Sequence, residues 1–235
     1  LTTSPAHGAV TFEQVAGASV TTYRYVYTPA KDYYGADTFT VKVSDGDATV
    51  TRSISFTLTA VNDAPAFDGL AAVYNINEDD PQQTVNFTIA DAETATSALM
   101  LQVSSQNEAL IPAASLTLDG LGANDGNVTL HYTPAANAHG TAVLQLKLSD
   151  GFLVTTQNVT VQVASVNDAP TPVADSLSYT EDTPLVIDMD DLVANDKDID
   201  GDALTFAGVN TLPGAAVGTL AETNAATHEW TFTPA

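Results

Sequence analysis

A five-residue word, Val61-Asn62-Asp63-Ala64-Pro65, returns as Val166-Asn167-Asp168-Ala169-Pro170, an offset of 105. Ser44-Asp45-Gly46 returns as Ser149-Asp150-Gly151 at the same offset of 105. Tyr27-Thr28-Pro29-Ala30 returns as Tyr132-Thr133-Pro134-Ala135, and again as Phe232-Thr233-Pro234-Ala235 a further 100 positions on. Three markers with one period leave little room for any architecture but an array of like units, each burying its own core. A unit of 105 residues is an ordinary domain length. With the Val-Asn-Asp-Ala-Pro word as the joint, residues 1–65 are the back part of one repeat. Residues 66–170 are a complete repeat, and residues 171–235 are the front part of a third. The sequence starts at Leu1 and reads as an interior piece of a longer array. A second reading has the two incomplete ends completing one another between molecules by strand exchange.

The local pattern is strand throughout. Thr38 to Val43 alternates, and so does Thr49 to Leu58, with β-branched and aromatic residues at period two. Ser44-Asp45-Gly46-Asp47 between them is a hairpin signal. The complete repeat predicts seven strands, near 71–76, 84–90, 98–104, 114–118, 127–133, 141–149 and 153–165, punctuated by Gly, Pro, Asn and Asp. Seven short strands in about 100 residues point to an immunoglobulin-like β-sandwich. The fold class expected is all-β, with sandwiches in a linear tandem array. The helix signal is weak, one turn at Leu192-Val193-Ala194.

Charge narrows the function. The chain carries 29 acidic and 6 basic residues, a net charge of −23, and no cysteine. That excludes the clustered Lys and Arg of a nucleic-acid footprint and argues against docking on anionic lipid. It leaves no disulfide framework or thiolate site. No apolar run reaches the ~18–20 residues of a membrane helix, so no membrane insertion is expected. The densest acidic run is Asp188, Asp190, Asp191 and then Asp196-Lys197-Asp198-Ile199-Asp200-Gly201-Asp202. Alternate aspartates with a Gly allow a tight loop whose carboxylates converge, which suits the ~6–8 hard oxygen ligands of Ca²⁺. The loop is not an EF-hand, because no Glu sits at the twelfth position. Mg²⁺ usually keeps several waters, and Zn²⁺ favours the His and Cys that this loop lacks. Asp91-Ala92-Glu93 is the thinner equivalent in the complete repeat.

The joint word, Thr180-Glu181-Asp182-Thr183, the Asp-rich loop, the Tyr-Thr-Pro element and the Ser-Asp-Gly hairpin occur in this sequence together. In that company the chain resembles the cadherin-like, Ig-like tandem repeats of large bacterial surface adhesins. The resemblance implies Ca²⁺ at domain junctions, with ligands from the linker, from two loops of the next domain and from the base of the previous one. At the first joint it implies Asn62 and Asp63 in the linker, Asp91, Glu93 and Asp150 in the following repeat, and Asp37, with Asp32 beside it, at the base of the preceding one. At the second joint it implies Asn167 and Asp168, then Asp198, Asp200 and Asp202, with Glu78 reaching from the complete repeat. Asn137-Ala138-His139-Gly140-Thr141 departs from the Asp-bearing base of the first repeat.

Other residues point to nothing sharper. His7, His131, His139 and His228 share no motif with a nucleophile or a second ligand, and no G-x-S-x-G, P-loop or H-E-x-x-H occurs. No enzyme activity is expected. Tyr23, Tyr25 and Tyr27 share one strand face and, with Trp230, read either as core or as a sugar-binding strip. The leading expectation is a calcium-stiffened extracellular stalk segment of a bacterial surface adhesin, serving attachment or biofilm, with neighbouring repeats and other copies in a fibre as partners. The alternatives are a carbohydrate- or protein-binding module and a self-assembling filament subunit.

Overall fold

The structure is a computed structural model that describes residues 3–15, 22–210, 214 and 217–235. It falls into two compact units. The first comprises Leu1–Tyr74, Pro81–Thr133 and Thr141–Val161, and the second Asn75–Asp80, Pro134–Gly140 and Gln162–Ala235.

In the first unit, β1 (Gly8–Val15) pairs antiparallel with β2 (Thr22–Pro29), and β3 (Gly35–Ser44) with β4 (Thr49–Leu58). The Asp-Gly hairpin forms as the sequence requires. Asp45 Oδ1 accepts the amides of Asp47 at 3.0 Å and Ala48 at 2.7 Å, and Gly46 takes φ +104°, a conformation that suits glycine.

From residue 66 the chain builds β5 (Ala66–Asp68), β6 (Val73–Asn77), β7 (Gln83–Ala90), β8 (Met100–Ser105), β9 (Thr117–Asp119), β10 (Asn127–Tyr132), β11 (Gly140–Ser149) and β12 (Val154–Ala164). They make two four-stranded sheets, ordered β5-β7-β10-β9 and β6-β12-β11-β8. Seven of these strands answer to the expected seven. The extra one, β5, is three residues long, too short for a period-two signal to register. The alternation that marked the strands is the burial pattern. On β11 the inward residues Ala142, Leu144, Leu146 and Leu148 are all 1% exposed or less. Val159, Val161 and Val163 of β12 join them, and Val85, Phe87, Ile89, Val128, Leu130 and Tyr132 of the other sheet are buried too. One buried face per sheet is the pattern of a β-sandwich.

The same strand positions are less covered in the first repeat. Tyr25 stands 105 residues before Leu130, yet it is 40% exposed where Leu130 is 1% exposed. Tyr25 stacks obliquely on Phe12 and Phe39, and Tyr27 meets Phe56 edge-on. The tyrosine face is only partly covered, with Tyr23 52% and Tyr25 40% exposed.

In the second unit, β13 (Leu185–Asp188), β14 (Gly218–Asn224) and β15 (Glu229–Pro234) form a sheet ordered β13-β15-β14. One short helix, α1 (Met189–Val193), follows β13. The expected turn at 192–194 thus lies slightly earlier, because Asp188 caps it: its carboxylate accepts the Asp190 amide at 3.0 Å. Among the described residues no helix is long and apolar enough to cross a membrane.

Candidate metal centres

The second unit gathers the second linker with the loops on either side of it. The Asp-rich run folds as a tight loop because Asp198 Oδ1 accepts the amides of Asp200 at 2.9 Å and Asp202 at 3.3 Å. That leaves Asp200 free to reach the linker, where its Oδ2 accepts the Asp168 amide at 2.7 Å. Asn167 Nδ2 donates to the Asp168 carbonyl at 2.9 Å. From the other side comes Glu78, only 2% exposed, whose Oε1 accepts the Val166 amide at 2.7 Å. Asp79 and Asn137 stand beside it, both with left-handed backbones (φ 59° and 52°), and Asp79 Oδ1 accepts the Asn137 amide at 2.9 Å.

The electrostatics of this cluster are one-sided. Burial pushes the Asp168 carboxyl above the usual aspartate range, and Asp79, Asp200, Glu78 and Asp198 push it further. Among the described residues no Lys or Arg pairs with any of these acids, and His139 Nδ1, 3.6 Å from Glu78 Oε2, is their only cationic candidate. The Asn137 side-chain amide lies between Asp79 Oδ2 and Asp168 Oδ2 and, with its nitrogen turned toward them, donates to each at 3.2 Å.

The first unit repeats the plan at the first linker. Asp91 Oδ1 accepts the amides of Glu93 at 3.0 Å and Thr94 at 2.7 Å, as Asp198 does for its own loop. Glu93 Oε2 accepts the Asp63 amide at 3.0 Å, the counterpart of Asp200 on Asp168. Asn62 Nδ2 donates to the Asp63 carbonyl at 3.0 Å and to Asp150 Oδ2 at 2.7 Å. Asp150 is held below the usual carboxylate range by the Leu153 amide, Asn62 and the Phe152 amide. Asp91 Oδ2 is buried with no hydrogen-bond partner, an expensive state for an anionic oxygen. Lys31, Asp32, Asp63 and Asp91 line one cleft here. The ammonium of Lys31 lies 3.1 Å from Asp32 Oδ2, and its proton is held more tightly than usual by Asp32 first and by Asp63 as well.

The expected residues therefore separate. Asn62, Asp63, Asp91, Glu93 and Asp150 share hydrogen bonds around the first linker. Glu78, Asn167, Asp168, Asp198 and Asp200 do so around the second. Asp202 enters through its backbone amide. Asp37 is drawn into its own repeat, where Ala6 N, His7 N, Thr38 N and Tyr27 Oη all donate to it. Two members were not singled out in the sequence, Asp79 and Asn137. Asn137 lies 105 positions after Asp32 and shares its left-handed backbone (φ 52° against 58°), so the register of the repeat marks it.

Among the described residues no group of three or more His, Asp or Glu side chains is placed to hold a metal ion. The chemistry of the donors still fits a hard divalent cation: carboxylate oxygens, excess negative charge and a buried Asp91 oxygen without a partner.

A model described as a bacterial Ig domain matches residues 1–57 and 62–162, and one described as a cadherin-like domain matches residues 166–235. Both are structural or adhesive modules and not enzyme families. No curated protein matches the chain. Among solved structures, domains 4 and 5 of the S-layer protein SbsC are 14% identical, with 66% of this chain and 76% of that one covered and a TM-score of 0.38. An endo-fucoidan hydrolase of glycoside hydrolase family 107 is 18% identical at a TM-score of 0.37, covering 96% of this chain and 32% of the hydrolase, so this chain spans about a third of it. An SrpA adhesin variant from Streptococcus sanguinis is 14% identical at a TM-score of 0.33, over 49% of this chain and 67% of the adhesin. With its alternating strands and repeat words matched over most of its length, the chain belongs to the bacterial Ig domain family, in the cadherin-like and Ig-like repeat type of bacterial surface proteins.

Proposed function

We propose that this chain is a calcium-stiffened segment of an extracellular bacterial surface protein, a spacer that serves attachment. The observation that carries the reading is the second linker. Asp168, Asp79, Asp200, Glu78 and Asp198 crowd one another, with no cation but only the neutral Asn137 amide between two of them. Crowded carboxylates around a hinge keep it loose by repulsion. A bound Ca²⁺ supplies the missing positive charge and draws the oxygens to one point. The chain's own residues set the geometry for it. Asp198 and Asp91 shape their loops, Asp200 and Glu93 grip the linker amides, and Glu78 holds the chain just before the second linker. Adjoining repeats of the same chain are the partners in this reading, and the ion fixes the angle between them.

Extracellular modules bind Ca²⁺ with dissociation constants of roughly 0.1–1 mM. At about 100 times that constant, one site adds about 2.7 kcal/mol to stability. The test is thermal unfolding and small-angle scattering in 10 mM Ca²⁺ and in EDTA, for the native chain and for Asp198→Asn with Asp200→Asn. The native chain is expected to melt higher and scatter as a stiffer particle with Ca²⁺, and the double variant to lose most of that gain. Superimposable profiles in Ca²⁺ and EDTA would sink the reading.

A further inference from the structure

Among the positions at which the two linker centres differ, one pair changes the charge at the base loop. Where the first has Lys31-Asp32, the second has Ala136-Asn137, 105 residues later. The backbone is alike at both, since Asp32 and Asn137 are left-handed at φ 58° and 52°. The charge is arranged differently. Lys31 Nζ sits 3.1 Å from Asp32 Oδ2 and shares a cleft with Asp63 and Asp91, whereas Ala136 offers the acids around Asn137 no counter-charge.

We propose that Lys31 is a resident counter-cation of the first linker, which neutralises Asp32 and Asp63 when no divalent ion is bound and opposes such an ion when it arrives. The first linker then keeps its form in the absence of metal, and the second does not. Only the opposition to the ion rests on the calcium reading above. The Lys31 side chain is 91% exposed, so its charge acts in water-like surroundings and its influence shrinks with added salt. A 2+ ion several ångströms from such a charge loses about tenfold in affinity.

The experiment reads the Asp63 and Asp168 amides by hydrogen exchange in EDTA, and Ca²⁺ affinity by calorimetry. Calorimetry uses the Asp198→Asn, Asp200→Asn background, so that the first linker alone reports. In EDTA the Asp63 amide of the native chain is expected to be better protected than that of Asp168. Lys31→Gln is expected to speed Asp63 exchange about threefold and to tighten Ca²⁺ at the first linker about tenfold. The transplant Ala136→Lys with Asn137→Asp is expected to slow Asp168 exchange in EDTA. If Lys31→Gln leaves Asp63 exchange unchanged in EDTA, the counter-cation role is overturned, whatever Ca²⁺ does. If exchange speeds but no variant binds Ca²⁺, the role stands and the calcium reading falls. If Ca²⁺ binds and its affinity is unmoved or weakened by Lys31→Gln, the opposition to the ion is overturned.

Discussion

Asp37 and Asp168 are both carboxylates withdrawn from water, and their surroundings drive them in opposite directions. Burial raises the Asp37 pKa, but donors from Thr38 N, Ala6 N, Tyr27 Oη and His7 N outweigh it and hold the group below the usual range. Tyr27 answers by moving up to about 12, through burial first and then Asp37. Asp168 has a single neutral side-chain donor, the Asn137 amide, and is raised by burial and its acidic neighbours. The signs of their pH dependence follow. Stability from Asp37 is present above its unfolded pKa of about 3.9 and is lost as pH falls through the depressed folded value. For Asp168 the folded state holds the proton more tightly, so its contribution is favourable below about 3.9 and is lost as pH rises through the raised folded value. Asp168→Asn is therefore expected to raise the melting temperature in EDTA at pH 7 and to remove part of the Ca²⁺ gain. Calorimetric scans under both conditions check it. Asp37→Asn is expected to lower the melting temperature equally with and without Ca²⁺, because Asp37 spends its oxygens inside its own repeat.

At the scale of the element, period-two alternation made β11 and β12 legible, and it is the same alternation that buries Leu144, Leu146, Val159 and Val161. It could not reveal β5, which has only three residues. The linker acids were legible from the repeat word and the Asp-x-Asp spacing. Asp79 and Asn137 were not, because left-handed loop positions carry no periodic signal, and Asn137 announces itself only through register with Asp32. Asp37 entered the linker set through the cadherin-like resemblance; in the structure its carboxylate accepts from Tyr27 and from the amides of Ala6 and His7 within its own repeat. One comparison tests how far equal strand positions are equal in energy. Leu148 is fully buried, whereas Val43, 105 residues earlier, is 53% exposed. Leu148→Ala is expected to cost about 2–5 kcal/mol in chemical denaturation, and Val43→Ala about 1 kcal/mol or less.

Across the whole molecule, charge outweighs everything else. With 29 acids against 6 bases, the chain repels itself at neutral pH, and the linkers concentrate that repulsion. In EDTA, raising NaCl from about 0.05 to 1 M shortens the Debye length to about 3 Å and is expected to raise the melting temperature. Saturating Ca²⁺ is expected to make the same salt step nearly silent, a contrast that fluorescence melts resolve.

The two linker centres have one further consequence. Each is assembled from three stretches at set places in the repeat: the base loops, the Val-Asn-Asp word and the following Asp-x-acid loop. Duplication or deletion of a whole 105-residue block leaves every remaining linker with all three stretches. A gene built on this plan can therefore gain or lose whole repeats while each linker keeps its acids in register, so that chain length changes as a count of repeats.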